Sequence, residues 1–239
     1  MTGEANDGWT QTVRSRIGLG RLLPLGGVAD GAWIAERAAA AVLLRVADEV
    51  GGLCFGQLRI AAAGPGPEAG PAIPAPPGAL PPGPLRIDAE VDVIAAAEPL
   101  PALVDRWRDV LLAACVERLG LAVTAVDVRV TGLLDAPPPR RVPIVPDGPA
   151  AAQRGHTVAR GPAANAAVAV PGVARLTGVL GSPVQVTDGH VQIELAVAPG
   201  YRPVDVASAV RRAVAAVTAG APTVGAPKVG VLVTEVELP

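Results

Sequence analysis

An apolar stripe at helical spacing, Leu103, Trp107, Val110, Leu111 and Ala114, returns 103 residues later as Val206, Val210, Ala213, Val214 and Val217. The same offset relates Val128-Arg129-Val130-Thr131-Gly132-Leu133 to Val231-Leu232-Val233-Thr234-Glu235-Val236. Amphipathic helices share such stripes generally, so the common helix-to-strand register is the stronger sign. The strands before the two helices, around Ile87 and Ile193, are read as differing by 106, with the change taken up in a loop. The chain of 239 residues therefore reads as two copies of one unit in the order helix, strand, strand, helix, strand. The predicted fold class is α+β: two divergent αββαβ units, each a small three-stranded, partly antiparallel sheet with helices packed on one face. A sheet of that size buries little surface alone, so the units are expected to pack together or against a partner.

Residues 1–30 read as an N-terminal arm and 31–135 as the first unit. Residues 136–162 follow as a Pro, Arg and Gly-rich linker, and 163–239 as the second unit. The spacing predicts a helix over Ala32–Val50, with Asp30 near its cap and Gly51-Gly52 ending it. A strand over Leu53–Ala62 follows. Residues 64–84 hold nine prolines and five glycines, so neither helix nor central strand fits there. A stiff exposed loop is the favoured reading over peptide docking at PxxP spacings such as Pro71 to Pro74. Leu85–Val93 alternates cleanly, with Arg86, Asp88, Glu90 and Asp92 on the wet face. Pro101–Leu119 reads as a helix stopped by Gly120. Ala122–Leu133 reads as a strand with Val126, Val128 and Val130 inward. In the second unit, Ala163–Val170 is a short helix, and Val173–Leu180 and Val184–Thr187 are extended. Asp188-Gly189 is a tight hairpin turn. Val191, Ile193, Leu195 and Val197 then alternate. Asp205 can cap a helix through Thr218, and Lys228–Leu238 is the last strand.

Composition narrows the functional classes. Half the residues are hydrophobic, but with one Phe, one Tyr and one Met the core must be built from Ala, Val and Leu. Residues 31–135 carry a net −5 and residues 136–162 a net +3, and neither block is the basic face that nucleic acid requires. Stacking aromatics in a nucleic-acid-binding array and phosphate-gripping glycine loops do not stand out in the sequence. No segment reaches the ~18 uninterrupted apolar residues of a membrane span. No apolar leader run follows the first basic residues, so a cytoplasmic location is expected. Cys54 and Cys115 lie in apolar stretches and read as buried free thiols. His156 falls in the linker and His190 beside the hairpin turn, without a Cys or His at ligand spacing, so zinc is not expected. Asp88, Glu90 and Asp92 read as a solvated charge network with Arg86 and Arg129 rather than a cation site. The chain thus reads as non-catalytic and without a cofactor.

Val170-Pro171-Gly172-Val173, followed by a hairpin into Val191-Gln192-Ile193-Glu194-Leu195-Ala196-Val197, a Val-rich helix and a short Val-alternating strand, resembles the alkaline shock protein family (Gls-type, envelope stress response) of Gram-positive bacteria. The likeness covers roughly residues 163–238, and the Arg-rich, Lys-poor composition with the N-terminal arm looks like actinobacterial members. The first half departs from the family by replacing the hairpin turn with the loop at 64–84, and the tandem arrangement departs from one domain per chain. The resemblance implies an interaction or scaffold protein that self-associates or binds a membrane-anchored partner, with peripheral membrane association but no span. The alternative is a small-ligand-binding protein with a pocket between the units. The candidate docking arm is Val13, Arg14, Arg16, Ile17, Arg21, Leu22 and Leu23, in which basic and aliphatic residues interleave without an acid. It docks on the protein's own body, another copy or an anionic surface, or its aliphatics simply pack near Trp33.

Overall fold

The computed structural model describes residues 18–66, 73–94, 99–136, 160–187, 189–219 and 227–238. The elements are β1 (Leu22–Pro24), β2 (Ala32–Ala35), α1 (Glu36–Val50), β3 (Leu53–Ala62), β4 (Leu85–Ile94) and α2 (Leu100–Ala114), then β5 (Val123–Leu134). They continue with α3 (Pro162–Val168), β6 (Val173–Leu176), β7 (Val184–Thr187), β8 (His190–Val197), α4 (Pro203–Thr218) and β9 (Lys228–Val236). Two mixed sheets result, with helices packed on them. One runs β3-β4-β5; the other runs β1-β2-β9-β8, with β6 and β7 in succession along the outer side of β8. Both units therefore have an antiparallel pair followed by a parallel one, β3-β4-β5 against β6/β7-β8-β9.

The internal likeness extends to single atoms. Arg108 on α2 donates from Nε to the Val126 carbonyl at 3.2 Å, and Arg211 on α4 does the same to Val229, also at 3.2 Å. The β4–β5 ladder skips Thr131 between the pairs Val91–Val130 and Asp92–Gly132; the β8–β9 ladder skips Thr234 between Leu195–Val233 and Ala196–Glu235. Each skipped threonine donates its hydroxyl to the strand opposite, Thr131 to Val91 O at 3.1 Å and Thr234 to Leu195 O at 3.3 Å. A β-bulge leaves one residue without a ladder partner, and a hydroxyl that satisfies the neighbouring carbonyl holds it in place. Gly52 and Gly172 precede the first strands with φ of +76° and +93°, and a Cβ there would press on Leu103 and on Val206 respectively. The helices and last strands keep the offset of 103, but the bulges correct the middle-strand offset from 106 to 104, so Ile87 matches Val191. A two-residue slip preserves the inward face, which is why alternation alone could not detect it.

The reading of Ala32–Val50 as one helix is corrected. Residues 32–35 form a strand parallel to β9, pairing Ala32–Val231, Trp33–Leu232 and Ile34–Val233, and the helix begins at Glu36. Ala32-Trp33-Ile34-Ala35 is apolar on both faces and fully buried, so the open edge of β9 prevails over local helix propensity. Asp30 does not cap α1; it accepts the Gly27 amide at 2.6 Å and stands 3.6 Å from Arg211. The Glu36 carboxylate instead accepts the Ile60 amide at 2.8 Å and the Arg21 amide at 3.2 Å, tying the arm and β3 to the start of α1. α4 starts at Pro203, with Asp205 inside its first turn rather than at the cap. The helix read over Pro101–Leu119 ends as a π-helical turn, Cys115–Leu119, before Gly120 at φ +82°. Val173–Leu180 is a strand only to Leu176, and the last strand ends at Val236.

β1 pairs antiparallel with β2, so the arm belongs to the sheet of the second unit. The proline segment seals that edge: Ala79 bridges Leu22, and the Leu80 amide donates to Leu22 O at 2.8 Å. Ile73 from the same segment is buried against Gly31. The stiff-loop reading thus gains a role as an edge cover, while Pro71 of the PxxP spacing lies outside the described residues. Leu23 is fully buried, and Leu23→Ala should lower unfolding free energy by about 2–5 kcal/mol. Denaturant titration checks this, and an unchanged midpoint would show that the arm is not part of the core.

Candidate functional site

The second unit encloses a carboxylate. Glu194 occupies the position on β8 that Glu90 occupies on β4. Glu90 is half-exposed and stands 3.9 Å from Arg129, as the charge-network reading expects. Glu194 is fully buried. The cause is a loop: where β3 has a simple bulge at Gly56, the second unit inserts residues 177–183 between β6 and β7. The Thr177 amide donates to Glu194 O and the Glu194 amide to Pro183 O, both at 2.9 Å, so the loop leaves and rejoins the ladder on either side of Glu194. Its tip amides close on the side chain. Val179 and Leu180 donate to Oε2 at 2.8 and 3.1 Å, and Gln185 Nε2 donates to Oε1 at 3.3 Å. The two threonine hydroxyls Thr177 and Thr234 meet at 2.8 Å beside it, and Gln192 Nε2 is buried without a partner.

Burial pushes the Glu194 carboxyl up to about 7, against the downward pull of the Leu180 and Val179 amides. The loop amides on this carboxylate latch the loop to the sheet. Sequence alternation sets Glu194 on the face opposite Val191, Ile193, Leu195 and Val197 and says nothing of its burial. The missed signal was that its neighbours on that face, Leu232 and Trp33, are large and apolar, and both are buried. On the first unit the acidic strand face behaves as read: Arg86 stands 3.4 Å from Asp88, and Thr131 donates to Asp92 at 2.7 Å.

The remaining candidates separate. Of the docking arm, Val13, Arg14, Arg16 and Ile17 lie outside the described residues. Arg21 is exposed, whereas Leu22 and Leu23 are buried in β1, so these two dock on the protein's own sheet and not on another surface. Cys115 is a buried free thiol pushed up to about 12 by burial. Cys54 is free but only half-buried, and its thiol is raised by burial and by Asp92 and Asp48. Neither is a ready nucleophile, since the thiolate is the reactive form. His156 lies outside the described residues, and His190 is half-exposed at the start of β8. Among the described residues no three His, Cys, Asp or Glu side chains cluster to hold a metal ion, and no helix is long and apolar enough to cross a membrane.

The other conspicuous surface is the outer flank of the first unit. β5 is an edge strand among the described residues, and its inward valines become more exposed towards its end. Val126 is buried, Val128 half-buried and Val130 38% exposed, while Leu133 is 75% exposed. Their counterparts Val229, Val231 and Val233 are all buried, because β2 lies along β9. No family model, curated protein or solved structure matches the chain.

If Glu194 carries the raised affinity for a proton, the folded state keeps that proton where the unfolded chain has lost it. Stability should then be level below pH 4.5, fall as pH rises from there towards about 7, and level off above. In Glu194→Gln the amide oxygen still accepts the loop amides, and the Gln185 amide can turn to accept from the new nitrogen. The variant should lose this slope, as read by denaturant unfolding across pH. Equal slopes in both proteins would show that Glu194 does not titrate in that interval.

Proposed function

We propose that the chain is a non-catalytic interaction or scaffold protein that engages its partner along the outer flank of β5. The observation that carries this reading is the graded exposure of Val126, Val128 and Val130 where the equivalent Val229, Val231 and Val233 are closed off. Leu133, farther along the same strand, is 75% exposed. Contiguous exposed aliphatic side chains beside an open strand edge are an unfavourable surface to leave in water and a favourable one to bury against protein. The resemblance to the alkaline shock protein family adds a narrower proposal: the partner is membrane-anchored or a second copy, and the setting is envelope stress. That part rests on the sequence likeness alone.

The alternative, a small-ligand-binding protein, has weaker support. The candidate cavity is about 330 Å³, open to solvent, and lies between α4, the start of β9 and Ile73. Arg211, Arg212 and Lys228 line it, but Arg211 is already committed to Val229, Ala29 and Asp30. Ligand sites normally enclose most of their ligand and converge free polar groups on it.

A photo-crosslinking residue placed at Leu133 in living cells should give discrete protein adducts, and one at the exposed Arg212 should not. Absence of adducts at position 133, or the same adducts from both positions, would remove the interaction reading.

A further inference from the structure

The two last strands are equivalent, yet among the described residues β9 has a neighbour on its second edge and β5 does not. Along β9, Ala32–Ile34 lie in parallel register. The Val231 amide donates to Gly31 O at 3.0 Å. Arg211 straddles the junction: Nε binds Val229 O at 3.2 Å, and Nη2 binds Ala29 O of the incoming segment at 3.1 Å. Nη1 stands 3.6 Å from Asp30. One guanidinium therefore joins the sheet to the turn that leads into the added strand, a use to which its planar fork is suited.

β5 presents the same apparatus. Val128, Arg129 and Val130 stand where Val231, Leu232 and Val233 stand, so the Val128 and Val130 amides point along the open edge. Arg108 makes the same bond to the strand, to Val126 O at 3.2 Å. The acid that Asp30 supplies in the second unit is supplied here by Asp105, one turn back on α2, at 2.9 Å from Nη1. No described residue takes the place of the Ala29 carbonyl at Arg108. The site is thus complete apart from the strand itself.

We propose that the edge of β5 from Val128 to Val130 accepts an extended segment of a partner polypeptide, running parallel to β5, with a backbone carbonyl on Arg108. This rests on the interaction reading above and specifies its chemistry. The segment carries small or branched aliphatic residues facing Val128 and Val130, as Ala32 and Ile34 face Val231 and Val233. Between them it carries an aromatic residue, the counterpart of Trp33, whose ring lies against the exposed Arg129 guanidinium. It needs no acid at the Asp30 position, because Asp105 already pairs Arg108. The occupant is not this chain's own Ala32–Ala35 segment, which β9 holds. Nor is it a symmetric pairing of β5 with β5 of a second copy, which a two-fold axis makes antiparallel. Strand addition of this kind draws affinity from backbone hydrogen bonds and specificity from alternate side chains.

The test uses the full chain and a synthetic peptide copying residues 28–36, with residue-resolved amide hydrogen exchange as the readout. In the chain alone, the Val128 and Val130 amides should exchange quickly. Saturating peptide should slow both by about tenfold or more, the scale expected when an edge amide gains a ladder partner. A peptide with alanine in place of its tryptophan should protect them less, and the chain carrying Arg108→Lys should bind the peptide more weakly while unfolding at the same denaturant midpoint. Protection of Val128 and Val130 without peptide would show the edge already covered, by this chain or a second copy, and overturns the proposal. So does peptide binding that leaves these two amides exchanging quickly, for instance by displacing β2 from β9. If these results fail while crosslinks at position 133 persist, the interaction reading stands and only strand addition falls.

Discussion

Everything in the second unit depends on β9 having a hydrogen-bonded neighbour on both sides. Its central residues, Val229 to Thr234, are buried on both faces, so neither edge can be left to water. β8 satisfies one edge. The other is met from 199 residues earlier in the chain, by β2, which must be extended for that purpose. Once β2 is a strand, α1 starts at Glu36, and its position fixes β3 through the bond from the Ile60 amide. The arm then returns antiparallel as β1, and the proline-rich segment closes the new edge at Leu22. A single backbone requirement thus links the arm, the proline segment and both units.

Contacts between the units follow the same line. Arg202, just ahead of α4, donates twice to Val116 O at the π-helical end of α2, at 3.0 Å from Nε and 2.6 Å from Nη2. The backbone there is close: a Cβ at Gly120 would stand 2.2 Å from Val204. In the first unit Trp107, fully buried, supplies the bulk that valines supply in the second, packing its ring 4.4 Å from Phe55. Its indole nitrogen has no partner, so Trp107 is retained for volume and not for a hydrogen bond.

Much of this was legible in the sequence, for a physical reason. Strands with one wet face, such as Leu85–Ile94, announce themselves by alternation, and the stripes of α2 and α4 by their period. The repeat was legible because both periodicities recur at one offset. The failures occur where a residue's environment is set by a distant segment. Ala32–Ala35 reads as the start of a helix because alanine favours one locally, and nothing nearby reveals the edge of β9. The alternation of its strand leaves Glu194 on the face opposite Val191, Ile193 and Leu195, and nothing in that strand reveals the loop that covers it. The middle-strand offset was two residues out because a period of two cannot register such an error.

Glu90 and Glu194 show how the copies diverged. Both face away from the helices at one ladder position, and a carboxylate there is unremarkable while water reaches it. In the first unit water does, and the open β5 edge lies beside it. In the second, the loop at 177–183 covers the face, Leu232 stands where Arg129 stands, and Trp33 packs alongside. A buried carboxylate without partners is strongly unfavourable, so the covering loop must bring its own donors. It does so with two backbone amides and one side-chain amide, which bind Glu194 as a carboxylate or as an acid whose other oxygen accepts. Closing the wet face and occupying the β9 edge are therefore one change: Trp33 and the loop cover the same side of the same strands. Among the described residues the first unit has neither, and its acidic face and the β5 edge lie open together.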